Sequence, residues 1–254
     1  MQDKVVLITG ASKGIGAATA RHLATLGAKL VLVARSKPEL DKLAKNLRAN
    51  GAEALAVACD VSRFEDVQTA VHLAEQTFGR LDVLINNAGL IDPIRRIEDS
   101  DPTDWSAVVD VNLKGAYYAI RAASPVMVAQ RGGTIINISS GAATSALEGW
   151  SHYCATKAAL LSLTRCAQVE LGPKGVTVVG LSPGTVATDM QTSIRASGVN
   201  PVSRLSPDAH IPPEWVAQAI AYLCMDGAAE HAGTDFSLKT EDGRRQAGLP
   251  PLQA

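Results

Sequence analysis

The chain has 254 residues, of which 46% are hydrophobic and 19% are charged, and its formal net charge at pH 7 is −1. A chain of this length buries enough surface to fold without disulfides or structural metals, and α/β proteins of this size often form one domain. The balanced charge and the lack of a basic block give no electrostatic basis for binding nucleic acid or an anionic membrane surface.

Short apolar runs alternate with longer helical patterns from the N-terminus onward. The predicted strands are Val5–Thr9, Leu30–Val33, Glu53–Ala58, Val83–Asn86, Thr134–Ile138, Thr177–Leu181 and Thr234–Leu238. The predicted helices cover residues 15–26, 38–49, 63–78, 103–130, 153–172 and 213–225. The strands are apolar throughout, which is typical of strands covered on both faces. We therefore predict an α/β fold, a single-domain doubly wound (Rossmann) parallel sheet of about seven strands with helices on both faces.

Residues 182–213 contain no predicted element and are rich in Pro, Ser and Gly. Irregular segments of this length are usually functional or mobile. This segment follows the carboxyl end of a predicted parallel strand, where α/β sheets bind their ligands. We predict one domain over residues 1–254, with residues 182–213 as its substrate loop and candidate lid.

A glycine-rich turn joins the first predicted strand to the first helix. It reads Thr9-Gly10-Ala11-Ser12-Lys13-Gly14-Ile15-Gly16. Glycine permits a positive φ and lets a phosphate approach the backbone. The helix N-terminus offers free N–H groups and a positive dipole end. The turn therefore indicates a dinucleotide pyrophosphate site, with an ordinary structural turn as the alternative, and its Gly-x3-Gly-x-Gly spacing differs from the commoner Gly-x-Gly-x2-Gly fingerprint.

At four motifs the chain resembles the short-chain dehydrogenase/reductase family. They are Thr9–Gly16, then Asn86-Asn87-Ala88-Gly89, then the Tyr-x3-Lys pair of Tyr153 and Lys157, and finally Pro183-Gly184 followed by Thr188. The resemblance implies an oxidoreductase that moves a hydride between a nicotinamide cofactor and a carbonyl or alcohol. The cofactor-binding residues that it implies are Gly10, Ser12, Lys13, Gly14, Ile15, Gly16, Arg35, Asp60, Val61, Asn87, Ala88, Gly89, Tyr153, Lys157, Pro183, Gly184, Val186 and Thr188.

Within that set the resemblance assigns particular contacts. Asp60 is expected to contact the adenine amino group, with a plain turn aspartate as the alternative. Asn87 is expected to line the cofactor's ribose. Val186 and Thr188 are expected to approach the nicotinamide carboxamide.

The end of the second predicted strand favours NADP(H) over NAD(H). Sheets selective for NAD usually place a carboxylate there for the ribose 2′-hydroxyl, whereas this sequence has Ala34 followed by Arg35. Arginine binds phosphate through its bidentate fork, and Lys13 adds a second cation in the glycine turn. Both positions are typically basic in NADP-preferring members of the family. Two ordinary surface cations are the alternative.

Tyr153 and Lys157 carry the predicted acid–base chemistry. Carbonyl reduction needs a proton donor for the oxygen on which negative charge develops, but the unperturbed pKa of tyrosine is about 10. Lys157 follows four residues later on the same helix face, where its ammonium is expected to lower the pKa of Tyr153. A Tyr/Lys pair that merely packs on a helix is the alternative.

The resemblance adds two further catalytic residues. It implies Ser140 as the donor to the substrate oxygen, with the adjacent Ser139 as the alternative. It implies that Asn112 holds a water linking Lys157 to solvent, and that Lys157 also binds the nicotinamide ribose hydroxyls. No metal is predicted, because no His, Cys, Asp and Glu group has metal-ligand spacing.

Several substrates and functions are compatible with these motifs. Residues 149–155 and 188–191 resemble the sepiapterin and benzil reductase branch, and Asp235 is a candidate for the aspartate that anchors the pterin in sepiapterin reductases. Ketones and dicarbonyls are the favoured substrate class. A non-catalytic NADP(H)-binding regulator on the same fold is a second hypothesis. A hydrolase is a third, although no Gly-x-Ser-x-Gly elbow surrounds Ser140.

The long helical patterns at 103–130 and 153–172 are apolar on more than one face. Family members pair these helices, so we predict a homodimer or homotetramer.

The cysteines and the N-terminus indicate the compartment. No signal segment precedes the strand that begins at Val5, and no run approaches the ~18 apolar residues of a membrane span. A cytoplasmic location is therefore predicted. The cysteines lack metal or redox spacing and are predicted to be small buried apolar residues. They are Cys59, Cys154, Cys166 and Cys224.

Overall fold

Seven strands form the centre of the computed structural model, which describes residues 1–252 apart from the side chain of Asp226. They are β1 (Val5–Thr9), β2 (Lys29–Ala34), β3 (Ala54–Ala58), β4 (Val83–Asn86), β5 (Gly133–Ile138), β6 (Val176–Ser182) and β7 (Asp235–Ser237). All neighbouring strands are parallel, in the order β3-β2-β1-β4-β5-β6-β7. The predicted doubly wound parallel sheet is confirmed.

Helices cover both faces of the sheet. They are α1 (Gly14–Thr25), α2 (Lys37–Ala49), α3 (Phe64–Phe78), α4 (Pro102–Val109), α5 (Gly115–Gln130), α6 (Ser151–Leu171), α7 (Asp189–Ser197), α8 (Pro213–Tyr222) and α9 (Glu241–Gln246). Successive strand residues point to opposite faces. Val6 and Ile8 of β1 therefore belong to the core with α1, α2 and α8, while Val5 and Leu7 belong to the core with α3, α5 and α6. Within the described residues, no helix combines the length and hydropathy needed to cross a membrane.

The helix predicted at 103–130 is interrupted. Residues 110–114 form a π-helical turn between α4 and α5. In this turn Asn112 is buried, and its side chain hydrogen-bonds to the backbone N–H and C=O of Leu90 at 2.7 and 2.8 Å. Single π turns are frequent at functional sites. The apolar spacing that predicts a helix does not distinguish such a turn from a regular one.

The predicted substrate loop is not irregular throughout. It contains α7 as well as short 3₁₀ helices at Pro201–Arg204 and Pro207–Ala209. The α7 segment was missed because it is polar and only Ile194 is buried in it. The short polar helix α9 was not predicted either; its N-cap hydroxyl on Thr240 accepts a hydrogen bond from the Gly243 N–H at 3.0 Å.

The four cysteines differ in exposure. All are free thiols; Cys59 is buried, Cys154 and Cys224 are partly buried, and Cys166 is exposed. The prediction of a buried apolar residue is therefore wrong for Cys166, which lies on the outer side of α6. Burial raises the pKa of the Cys59 and Cys224 thiols to about 12, which keeps both protonated.

Candidate active site

A cavity of about 900 Å³ opens at the carboxyl ends of the strands. It lies where β1 and β4 are neighbours, with β2 and β3 on one side of this pair and β5, β6 and β7 on the other. This is the topological switch point at which doubly wound sheets bind ligands. Every predicted cofactor-binding residue lines the cavity except Gly16.

The turn after β1 has a backbone that requires glycine. Gly10 and Gly14 have φ angles of +64° and +54°, a region that residues with a Cβ rarely adopt. A Cβ on Gly16 would lie 2.4 Å from the Gly10 carbonyl oxygen, so Gly16 permits α1 to pack on the turn rather than contacting a ligand. The Asn87 amide fixes the turn by donating to the carbonyl oxygens of Thr9 and Gly10 at 2.9 and 3.1 Å.

The first turn of α1 points into this cavity without a side-chain cap. Lys13 is the N-cap residue, and its side chain makes no capping hydrogen bond. The first backbone N–H groups of a helix lack intrahelical acceptors and carry the positive end of the helix dipole. Gly14 and Ile15 line the cavity at this point. The arrangement suits a pyrophosphate.

One end of the cavity is lined by Arg35, Ser36, Asp60 and Val61. The Asp60 carboxylate accepts hydrogen bonds from the N–H and hydroxyl of Ser62 at 3.0 and 2.7 Å. Burial alone would raise the pKa of Asp60, but these hydrogen bonds and the positive charge of Arg35 lower it below its ordinary value. This end therefore presents an exposed guanidinium and an ionised carboxylate to a ligand.

The sequence predicted Lys13 as a second cation beside Arg35. In the structure the Lys13 ammonium forms an ion pair with Asp189 of α7 at 2.9 Å. Both side chains are more than 70% exposed, so water weakens the pair and it stabilises the structure little. The pair connects the glycine turn with α7 across the cavity mouth.

Ser140, Tyr153 and Lys157 meet on one wall of the cavity. Tyr153 is 8% exposed and packs edge-on against Trp150, with 5.6 Å between the ring centroids. The Ser140 side chain hydrogen-bonds to Tyr153, and its oxygen also accepts from the Ala142 N–H at 3.1 Å. Lys157 Nζ donates to the Ile138 carbonyl oxygen at 2.7 Å and lies 5.5 Å from the centroid of the Tyr153 ring.

Burial dominates the acid–base properties of this pair. It raises the pKa of Tyr153 to about 12, although the hydrogen bond with Ser140 opposes the rise. It lowers the pKa of Lys157 to about 8, although the negative charge of Asp235 opposes the fall. The sequence predicted a lowered pKa for Tyr153, whereas in the structure this pKa is raised, because desolvation disfavours the charged phenolate.

Ser139 hydrogen-bonds to a different partner from Ser140. Its hydroxyl donates to the Asp235 carboxylate at 2.7 Å. Burial raises the pKa of Asp235, and the Ser139 hydrogen bond and the charges of Lys157 and Arg165 oppose this. Asp235 is not among the described residues that line the cavity, so its expected role as a pterin anchor is not supported.

Asn112 lies behind the cavity wall rather than in it. Besides its two bonds to Leu90, its amide approaches the Thr156 hydroxyl at 3.3 Å, next to Lys157 on α6. Pro183, Gly184, Val186 and Thr188 line the opposite wall after β6. The Thr188 methyl would lie 3.3 Å from a Cβ on Gly14, so this wall approaches the glycine turn closely.

The wall beside Tyr153 was predicted only in part, since Met190, Ile194 and Val202 lie in the predicted substrate loop but were not named individually. That wall is largely apolar, and its residues include Ile91, Leu147, Trp150, Met190, Ile194 and Val202. Met190 and Ile194 are four residues apart in α7, which was a detectable signal for one helix face. Lys239, which follows β7, also lines the cavity and had no sequence signal.

The chain is similar to known proteins over most of its length. A family model described as short chain dehydrogenase matches residues 4–198. A 3-oxoacyl-[acyl-carrier-protein] reductase of Synechocystis sp. is 38% identical over 92% of this chain and 95% of its own. The crystal structure of levodione reductase is 28% identical and superposes with a TM-score of 0.87, covering 98% of this chain and 100% of its own.

A further solved structure was determined with a nicotinamide cofactor. It is a 3-ketoacyl-(acyl-carrier-protein) reductase from Brucella melitensis complexed with NADH, 32% identical to this chain. Its TM-score is 0.84, and the match covers 93% of this chain and 97% of that one.

Proposed function

The chain belongs to the short-chain dehydrogenase family, and from its site we propose that it is an NADP(H)-dependent oxidoreductase that interconverts a carbonyl compound and an alcohol. One observation carries this proposal. Ser140, Tyr153 and Lys157 share a cavity whose other end holds the glycine turn and Arg35. A proton donor and a phosphate cradle in one cavity suit hydride transfer coupled to proton transfer.

The cavity residues fit NADP(H) by their chemistry. The uncapped N-terminus of α1 would hold the pyrophosphate, and Arg35 would pair with the 2′-phosphate. Asp60 and Val61 would flank the adenine, and Asn87 to Gly89 the adjoining ribose. Lys157 would bind the nicotinamide ribose, and Val186 and Thr188 the carboxamide. When bound, the cofactor supplies or accepts the hydride.

The protein's own groups handle the substrate oxygen and the proton. Ser140 would donate a hydrogen bond to the substrate oxygen, since the Ala142 N–H already occupies one of its acceptor positions. Tyr153 would donate the proton during reduction and accept it during oxidation. Lys157 would hold positive charge beside the Tyr153 ring, and Asn112 would position this helix from behind.

The apolar wall beside Tyr153 favours ketones and dicarbonyls with an apolar substituent. A 3-oxoacyl thioester is a second candidate substrate, because a relative with that activity in its name is 38% identical over most of the chain. A pterin is disfavoured because the Asp235 carboxylate accepts a hydrogen bond from the Ser139 hydroxyl. A non-catalytic NADP(H)-binding regulator would have no need of Ser140, Tyr153 and Lys157 together.

Arg35→Asp is expected to reverse the cofactor preference from NADPH to NADH. The change removes the cation for the 2′-phosphate and adds repulsion against it, so NADPH affinity should fall about tenfold to a hundredfold. Binding titrations of both cofactors at physiological salt measure it. Arg63→Asp is the matched control, because Arg63 carries the same charge near Asp60 but does not line the cavity. Tighter binding of NADH than NADPH by the wild type would refute the preference.

We also propose a homodimer or homotetramer formed through α5 and α6. Tyr117 on α5 is 48% exposed and Val169 on α6 is 75% exposed, which leaves large apolar side chains in water. Symmetric association would bury them. Light scattering at micromolar concentration is expected to give a mass of at least a dimer. A monomer mass would contradict this.

A further inference from the structure

Lys239 lines the cavity beside Gly184 and Gly141. It follows β7 and is the cavity-lining residue from that part of the chain. Its Cγ would lie 3.3 Å from a Cβ on Gly184, and its Nζ 3.4 Å from a Cβ on Gly141. Both positions are glycine, so the lysine stem crosses the wall after β6 and its ammonium lies over the residue that directly follows Ser140.

The Lys239 ammonium has no protein partner among the described residues. No carboxylate lies within ion-pair distance of it and no hydrogen bond satisfies it, although the other cavity lysines are engaged. Lys13 pairs with Asp189, and Lys157 donates to the Ile138 carbonyl oxygen. Arg35 lies with Asp60 at the other end of the cavity. Lys239 is therefore an unpaired cation at the end where Tyr153 lies.

Lys239 is an exposed residue that lines the cavity, so its ammonium is open to a ligand that enters there. Gly141 directly follows Ser140, so an ammonium beside Gly141 would attract an anionic group close to the substrate carbonyl that Ser140 and Tyr153 would contact. The glycine turn, where a pyrophosphate would bind, approaches Thr188 rather than Gly141.

We propose that Lys239 binds a carboxylate of the substrate, so that the preferred substrates are oxo acids with an apolar substituent and the corresponding hydroxy acids. The carboxylate would lie within a few bonds of the reacting carbonyl. This inference rests on the proposed function and makes it more specific. The same cation would also suit a phosphate of the cofactor, and the test separates these two anions.

The test compares acids with their methyl esters, which keep the carbonyl and the apolar group but lose the charge. The probes are phenylglyoxylate and 4-phenyl-2-oxobutanoate, each with its methyl ester, reduced with NADPH. For the wild type, kcat/KM is expected to be higher for the acids. In Lys239→Met the acid-to-ester ratio should fall about tenfold, and in Lys239→Glu it should fall further. Lys174 is an exposed lysine just before the amino end of β6 and does not line the cavity, so Lys174→Met should leave the ratio unchanged.

Two results would overturn the assignment. A wild type that reduces the esters or other neutral ketones but is neither active on nor inhibited by the acids would exclude a carboxylate site. A Lys239→Met protein with an unchanged ratio but weaker NADPH binding in a fluorescence titration would assign Lys239 to a cofactor phosphate. A wild type that reduces no carbonyl compound would instead refute the proposed function itself.

Discussion

Tyr153→Phe is expected to lower turnover about 10²–10⁴-fold, the range typical for loss of a general acid, while NADPH affinity barely changes. The substitution removes only the hydroxyl that hydrogen-bonds with Ser140. The ring would keep its edge-on contact with Trp150, so the fold and the glycine turn should persist. Steady-state kinetics on any carbonyl compound that the wild type reduces, with a parallel NADPH titration, measure both quantities.

Tyr118→Phe is the matched control for this substitution. Tyr118 packs against Phe64 outside the cavity, so removing its hydroxyl should leave turnover unchanged. If Tyr153 merely packed on a helix facing the cavity, Tyr153→Phe would behave like this control. Near-full turnover in Tyr153→Phe would therefore refute its catalytic assignment.

Lys157→Met should lower both turnover and NADPH affinity. Met keeps an unbranched apolar stem in this buried position but removes the ammonium that donates to Ile138 and lies beside the Tyr153 ring. The affinity for NADPH should fall about tenfold or more, because a charged hydrogen-bond donor to the ribose is lost. Turnover should fall as well, because no positive charge then stabilises the phenolate form of Tyr153. Circular dichroism confirms that the variant is folded.

The pH dependence separates the two roles of Lys157. Alcohol oxidation releases a proton, so the wild-type oxidation rate should rise with pH as the Tyr153–Lys157 pair loses protons. Removing the cation raises the pKa of Tyr153, so in Lys157→Met this rise should move to higher pH. An unchanged pH profile with weaker NADPH binding would leave Lys157 as a cofactor ligand alone. Lys114→Met, which removes a lysine paired with Asp110 outside the cavity, is the control.

The sheet was predictable because its strands are buried on both faces. Val5–Thr9 and Val83–Asn86 were predicted to the residue, since continuous apolar runs bounded by turn residues mark such strands clearly. The π-helical turn at Asn112 was not predictable, because it preserves the helical apolar pattern. The α7 helix was missed because its stabilising contacts come from Met190 and Ile194 packing on the substrate wall, not from its own polar sequence.

Site residues that belong to motifs were predictable, but their environments were not. The family resemblance assigned Gly10, Gly14, Tyr153 and Lys157 to one cofactor site, and they line one cavity in the structure. The spacing of residues in the sequence does not show that Tyr153 is buried, and this burial raises the pKa of Tyr153 to about 12. Lys239 lies far along the chain from every motif and comes to the cavity only through the pairing of β7 with β6. Such a residue is found only once the fold is known.

We propose above all that this chain reduces carbonyl compounds with NADPH. The most direct measurement is NADPH and NADH oxidation, each followed with a panel of ketones, diketones, oxo acids, 3-oxoacyl thioesters, steroids, sugars and pterins. We expect turnover with at least one apolar carbonyl compound, faster with NADPH than with NADH, and lost in Tyr153→Phe. Tight NADPH binding without turnover of any compound would contradict this account and support a non-catalytic NADP(H)-binding protein.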